Sequence, residues 1–428
     1  MGCVPPAGVG FFPLDDELEL LPGQLTPRLH EQLVRLGSWV TFEKAAVLFR
    51  DFTGVAVNED YARRHTEDAG AIYAAVQTAE VERLERETPP PPVRPEKLCL
   101  SADGAMVPLV GGEWGEVKTL MLGEVAPPLV EKGEAVVHLR AISYFSRLTD
   151  NHTFERLALV ETHRRGVETA GQVGAVVDGA EWLQGFVNFH RPEALRILDF
   201  PHAAGYVAKI DQAMYGEGTP ESRTWLTAHL HQLKHDGPHD LLADLRALTL
   251  TQPASSPGLD AWAYLDKREA QLQYPSFQAA GWPIGSGAVE SGNKLVVEAR
   301  LKGSGMHWAR PHVDPMLALR NIVCNDRWDE AWPQIASGLR HRATIRRAEH
   351  HHQRQAARQM TSPTGSLLGP ITASESISPH EATAVSTPVA QPPKVPGPHR
   401  PAQNHPWQRS PIGRAQYLPA RPLDAAKL

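Results

Sequence analysis

Four consecutive prolines at residues 89–92, with a fifth at Pro95, divide this chain, because neither an α-helix nor a central β-strand can pass through them. Apolar residues before the break recur at helical spacing. Thr26 to Leu36 reads as one helix. Thr41 is placed to cap a second, in which Ala45, Leu48, Phe49 and Phe52 follow helical spacing, and Asn58 to cap a third running through Tyr61, Ile72 and Val76 toward Leu84. The short TGVAV turn at 53–57 gives this region, 25–88, a helix-turn-helix outline. Such a pair either touches DNA or meets a partner subunit. Its charge does not decide between them: residues 14–88 hold 8 Lys and Arg against 15 Asp and Glu.

After the proline linker (89–96) the pattern turns from helical to extended. KLCLSA (97–102) reads as a strand ending at Asp103, and residues 106–110, 116–125 and 135–144 add strand material around a glycine turn. Asp150 or Asn151 then caps a helix through Phe154, Leu157, Leu159 and Val160. GAVV (174–177) is a short apolar strand ending at Asp178, with a helix following around Trp182. Residues 195–198 form a third apolar strand ending at Asp199, with a helix from His202 onward. Strands that meander and then arrive by helical crossovers predict an α/β domain over 97–335, a ribonuclease H-like mixed sheet. Residues 203–280 form a helical insertion within it.

The remaining segments are defined by composition. GVGFFPLDDELELL lies in a Gly- and Pro-rich, then acidic, opening segment (1–24). A basic helical stretch spans 336–360, and the tail from 361 carries 13 prolines in 68 residues, a composition that predicts disorder. A chain of 428 residues, 42% hydrophobic and 21% charged, has room for a sizeable core. It has no apolar run near the ~20 residues of a membrane span and no signal-peptide pattern, so no membrane partner and a cytoplasmic, nucleoid-associated location are expected. Three dispersed cysteines offer neither a disulfide framework nor a zinc site. The net charge of −6 hides a basic segment, residues 291–360, with 12 Lys and Arg against 6 Asp and Glu. That excess suits a phosphate backbone or merely a solvated helical face.

Residues 282–308 (WPIGSGAVESGNKLVVEARLKGSGMHW) pack five glycines around one helical run with Glu290 near its start. Helical spacing puts Glu290, Lys294 and Glu298 on one face. With Asp103 and Asp178 at strand ends, Glu290 completes a set of three acids. Carboxylates brought together repel one another unless cations neutralise them, and hard oxygen donors select Mg²⁺ or Mn²⁺, two ions in the arrangement that clamps a phosphodiester. Each Asp-Gly step alone also reads as a turn closing a strand. Two at equivalent strand ends, with a glycine-framed glutamate, point to a site. His229, His231, His235 and His239 cluster in the insertion without a cysteine or carboxylate pattern to complete a ligand set. Trp282 and Trp308 suit either base stacking or a core.

SADGAMVPL (101–109), VVDGAEWL (176–183), LDFPHAAGYV (198–207) and PIGSGAVESGNKLVVEARLKGSGMHW (283–308) resemble the motif blocks of the ISKra-type DDE transposases of bacterial and archaeal insertion sequences. The resemblance covers about residues 11–332, and the last block is its most specific part. It implies that Asp103, Asp178 and Glu290 are the catalytic triad holding the divalent ions, with 75 residues from first acid to second and 112 from second to third. The Asp199-x-x-His202 step resembles an acid-or-cysteine and histidine signature of related transposases. It implies an accessory role for His202 near the scissile phosphate, where the rival reading is a histidine capping its helix. Lys294, Arg300, Lys302, Arg346 and Arg347 are the expected contacts to DNA phosphates. Family members carry paired cysteines upstream of the FPLD segment; Cys3 alone stands here, so a truncated N-terminal DNA-binding piece is expected. The expected activity is cleavage at element ends and joining of 3′-hydroxyls to target DNA by a homodimer or higher oligomer. The alternatives are a cleavage-inactive DNA-binding relic and a nuclease of the same fold.

Overall fold

The computed structural model describes residues 25–131, 134–216, 218–249 and 256–360. The opening segment and the proline-rich tail therefore lie outside the described residues. Three helices come first: α1 (Pro27–Trp39), α2 (Phe42–Thr53) and α3 (Glu59–Glu87). Their starts follow from local chemistry. The side chains of Thr26, Thr41 and Asn58 accept the backbone N–H groups of Leu29, Lys44 and Tyr61, each filling one donor that a helix start leaves open.

The sheet follows, built from β1 (Lys97–Pro108), β2 (Trp114–Val125), β5 (Leu139–Arg147), β6 (Gln172–Val177) and β7 (Leu195–Leu198) in the order β5-β2-β1-β6-β7. A separate two-stranded ribbon of β3 (Leu129–Glu131) and β4 (Glu134–Val136) sits between β2 and β5 in the chain. The β1–β2 and β2–β5 pairs are antiparallel; β6 runs parallel to β1, and β7 parallel to β6. Crossovers carry α4 (Asn151–Leu157), α5 (Leu159–Arg164) and α6 (Glu181–His190). After β7 comes a run of helices: α7 (Phe200–Tyr215), α8 (Pro220–His235), α9 (His239–Thr249), α10 (Pro257–Asp266) and α11 (Tyr274–Ala279). A helix begins at Gly287–Gly292 (α12), continues through a π turn at Asn293–Glu298 and closes with Ala299–Leu301; α13 (Arg310–Cys324) and α14 (Trp328–Met360) complete the described chain.

Two strands and one helix differ from the sequence reading. KLCLSA and the first part of residues 106–110 belong to one strand, because β2 continues to pair with β1 past Asp103, through Met106 beside Glu116 to Pro108 beside Trp114, where the strand ends. The 135–144 stretch divides between β4 and β5, and the helix expected from Asp150 or Asn151 breaks into α4 and α5 after Asp150 caps it.

Period-two alternation gives the sheet two faces. Leu98, Leu100, Ala102, Leu120, Leu122 and Phe145 pack with Phe154, Leu183 and Phe186 of the crossover helices. Cys99, Met121, Tyr144, Val176 and Ile197 share the larger core with Val289, Val296 and Val297 of the Glu290 helix and with Met316 and Leu317 of α13. Leu33, Phe42, Phe49 and Ala62 of the N-terminal helices join that same core. Strand β5 is an edge, and α13 covers it with side chains on one helical face. Asp314 accepts the N–H of Leu148, Asn321 that of Ser146 and Asn325 that of Tyr144, while the two asparagine amides donate back to the carbonyls of Ser146 and Tyr144. No helix among the described residues is long and apolar enough to cross a membrane.

Candidate active site at the sheet edge

The parallel pairings align the acids. Leu100 lies beside Ala175 and Val177 beside Leu198, so carrying each register forward brings Asp103, Asp178 and Asp199 level across three neighbouring strands. Alternation puts Asp103 and Asp178 on the face that α12 covers, since they share parity with Cys99 and Val176. Asp103 is not at the end of its strand. It stands inside β1 opposite Thr119, at the point where the parallel partner β6 has already finished. The Asp103-Gly104 step is therefore continuous strand and not a turn, whereas Gly179, at φ +82°, does turn the chain after Asp178.

Each acid is held from a different direction. Asp103 Oδ1 accepts the N–H of Gly104 at 2.7 Å, and its Oδ2 accepts the side-chain amide of Asn293 at 2.9 Å. Burial pushes its carboxyl above the usual range, against the pull of the Gly104 N–H and the Asn293 amide; the charges of Asp178 and Glu290 raise it further. Asp103 thus feels the charges of both other acids, and none of the three forms an ion pair with Lys or Arg among the described residues. Asp178 Oδ1 accepts the N–H of Ala180 at 2.8 Å. Tyr264 on α10 donates to the backbone carbonyl of Asp178 at 2.5 Å, and Arg268 donates to that of Gly179 at 2.8 Å while lying 3.7 Å over the Tyr264 ring. Burial pushes the Tyr264 phenol up to about 12, so it remains a donor at neutral pH.

Glu290 is exposed, and what places it is Asp199. This aspartate, 4% exposed, accepts the His202 N–H at 3.0 Å and the Ser286 N–H at 2.6 Å. One carboxylate therefore caps α7 and latches the glycine turn from which α12 departs. The Phe200 N–H adds a bond to the carbonyl of Ile284 at 2.9 Å. Asp199, not His202, is the cap of that helix. The His202 ring is half-buried beside Tyr206 and Tyr264, with centroids 5.4 and 6.2 Å away. Gly292 lets α12 sit down on the sheet: a Cβ there would lie 2.5 Å from the ring of Tyr144.

The cationic residues divide. Lys294 is exposed one turn from Glu290, and Lys302 is exposed but paired with Glu298 at 2.9 Å. Arg300 does not face solvent. It is 2% exposed, donates to the carbonyl of Gly37 at 3.0 Å and lies over the rings of Phe42 and Trp308. Burial, aided by Arg320, lowers its pKa to about 10. The physical reason is the π turn, which shifts the phase of the helix by one residue and swings Arg300 toward the N-terminal helices. Arg346 and Arg347 are exposed on α14 and line a cleft of about 790 Å³ with Arg63, Arg64 and Arg342; none of the three acids lines it. Arg346 lies 3.9 Å from Asp68. Trp282 and Trp308 are both buried, the core fate: Trp282 covers Gly174 of β6, and Trp308 donates to the carbonyl of Leu301.

Asn293, Tyr264 and Arg268 escaped the sequence reading. Only Asn293 left a trace there, one helical turn beyond Glu290. No family model matches this chain, and no curated protein matches it either.

Among the described residues no three His, Cys, Asp or Glu side chains stand close enough to hold a metal ion between them, the insertion histidines included. The donor chemistry nevertheless fits a hard divalent cation. The charges of Asp178 and Glu290 raise the charge cost of Asp103, and the buried Oδ1 of Asn293 beside Asp103 has no hydrogen-bond partner.

Proposed function

We propose that this chain is a DDE transposase with a ribonuclease H-like catalytic domain, cutting DNA at insertion-sequence ends and joining the 3′-hydroxyls to target DNA. The observation that carries this is the level alignment of Asp103 and Asp178 on neighbouring parallel strands, on the face covered by the helix of Glu290. The strand order, three antiparallel strands followed by two reached through helical crossovers, supports the domain reading. Ligands of α/β sheets gather where parallel strands end, and the parallel pairing of β1 with β6 stops just short of Asp103 and Asp178.

Asp103, Asp178 and Glu290 would hold two Mg²⁺ or Mn²⁺ ions, which when bound supply charge neutralisation at the phosphodiester and activation of water or a 3′-hydroxyl. The protein's own groups account for placement. Asp199 fixes the turn that delivers Glu290, and Tyr264 with Arg268 fixes the backbone that delivers Asp178. Lys294 offers a cation to the DNA backbone, and His202 would supply a donor near the scissile phosphate. Hydrolysis of one phosphodiester yields a 3′-hydroxyl; that hydroxyl then attacks a target phosphodiester, one P–O bond forming as another breaks, so no external energy source is needed. Two element ends require a homodimer or larger assembly.

The test is Mn²⁺-dependent strand transfer on DNA carrying the element ends. Asp103→Ala, Asp178→Ala and Glu290→Ala should each abolish transfer while gel-shift binding to the ends persists. Undiminished transfer by any of them would remove that acid from the mechanism. Wild-type cleavage without joined products would indicate a nuclease, and end binding without cleavage would indicate a DNA-binding relic.

A further inference from the structure

Asn293 is one turn beyond Glu290, at the junction where α12 passes into the π turn. It is 6% exposed, and its side chain reaches across to the sheet. Nδ2 donates to Asp103 Oδ2 at 2.9 Å, whereas Oδ1 is buried with no hydrogen-bond partner. A buried amide oxygen left in that state keeps the desolvation cost with no bond to offset it. The helix brings this amide in at some structural expense, through a π turn and a glycine packed on Tyr144. A π turn inserted in an α-helix is frequently found at a functional site.

Resting on the assignment of Asp103, Asp178 and Glu290 as divalent-cation ligands, we propose that Asn293 is a fourth oxygen donor of that site, its amide turning to present Oδ1 when a cation binds. The chemistry requires a turn of this kind. Without a cation, Asp103 Oδ2 and an amide oxygen repel, so the NH₂ faces the carboxylate. A hard cation reverses the preference, because both oxygens can then point at the same positive charge. Small divalent ions favour six oxygen ligands, and a neutral amide oxygen adds one without adding to the negative charge the three acids already bring. A rotation about one bond exchanges the two arrangements and needs no backbone movement.

The experiment is direct Mn²⁺ binding to the full chain, followed by the paramagnetic resonance signal of free Mn²⁺, with no DNA present. Asn293→Ala should weaken binding by about tenfold or more, the range typical for disturbing a metal site's supporting groups. Asn293→Asp keeps an oxygen donor and removes the NH₂; it should bind within about threefold of wild type or more tightly. If the only role of Asn293 were to donate to Asp103, the aspartate would bind no better than the alanine, and that result overturns the proposal. So does binding by Asn293→Ala equal to wild type. Asp103→Asn separates the two levels of the argument. Wild-type binding lost in Asp103→Asn but untouched in Asn293→Ala defeats the fourth donor alone; absence of Mn²⁺ binding to wild type defeats the three-acid site and the fourth donor together.

Discussion

Replacing Asp199 by alanine tests how the site is assembled without touching any proposed ligand. Its carboxylate is buried and accepts two backbone N–H groups, His202 at 3.0 Å and Ser286 at 2.6 Å. Hydrogen bonds to a charged acceptor contribute about 1.5–3 kcal/mol each, and loss of a helix cap alone costs about 1 kcal/mol. Asp199→Ala should therefore destabilise the chain by about 3–5 kcal/mol, lowering the melting temperature by on the order of 5 °C. Asp199→Asn, which can still accept one N–H, should lose about half as much. Amide hydrogen exchange gives the local readout. The Ser286 N–H should exchange faster by about 30-fold or more in Asp199→Ala, since each 1.4 kcal/mol is a factor of ten, while amides in β2 should follow only the global change. A loss below about 1 kcal/mol, or a Ser286 amide unchanged in protection, would refute the reasoning that this aspartate latches the glycine turn.

Three further outcomes follow from the packing. Gly292→Ala places a Cβ within 2.5 Å of the Tyr144 ring and should cost about 1–3 kcal/mol in urea unfolding; the second change Tyr144→Leu should recover part of it, and an additive double mutant would count against a direct clash. Arg300→Met should leave affinity for DNA and its salt dependence unchanged while altering stability, because the guanidinium is buried between Phe42, Trp308 and the carbonyl of Gly37; a flatter salt dependence would return Arg300 to the DNA surface. His30 and His190 are buried and their pKa values are lowered to about 3, chiefly by burial. The unfolded chain takes up protons near pH 6.5 and the folded chain does not until about 3, so stability should fall as pH drops through that window, by about 1.4 kcal/mol per pH unit for each histidine. Unfolding measured between pH 7 and 4.5 should be less steep in His190→Gln, and an unchanged slope would contradict the assignment.

Much of this architecture is legible in the sequence. The break at the prolines, the caps at Thr41, Asn58 and Asp150, and the strands ending at Asp178 and Asp199 depend on chemistry within about four residues, and that chemistry is written in the sequence. What escaped depends on partners far along the chain. Asp103 looked like a strand end because its own neighbours permit one, but β2 keeps pairing past it, and only the sheet register shows that. Arg300 looked like a DNA contact because it is a cation in a basic run; Gly37 and Phe42, more than 250 residues earlier, bury it. Asn293 meets Asp103 across 190 residues, and Asp199 meets Ser286 across 87. Residue type and spacing determined which elements form and which acids stand near their ends. Which carboxylate is a candidate ligand and which a latch was decided by tertiary packing, because a carboxylate's role depends on the donors that reach it and those donors come from other elements.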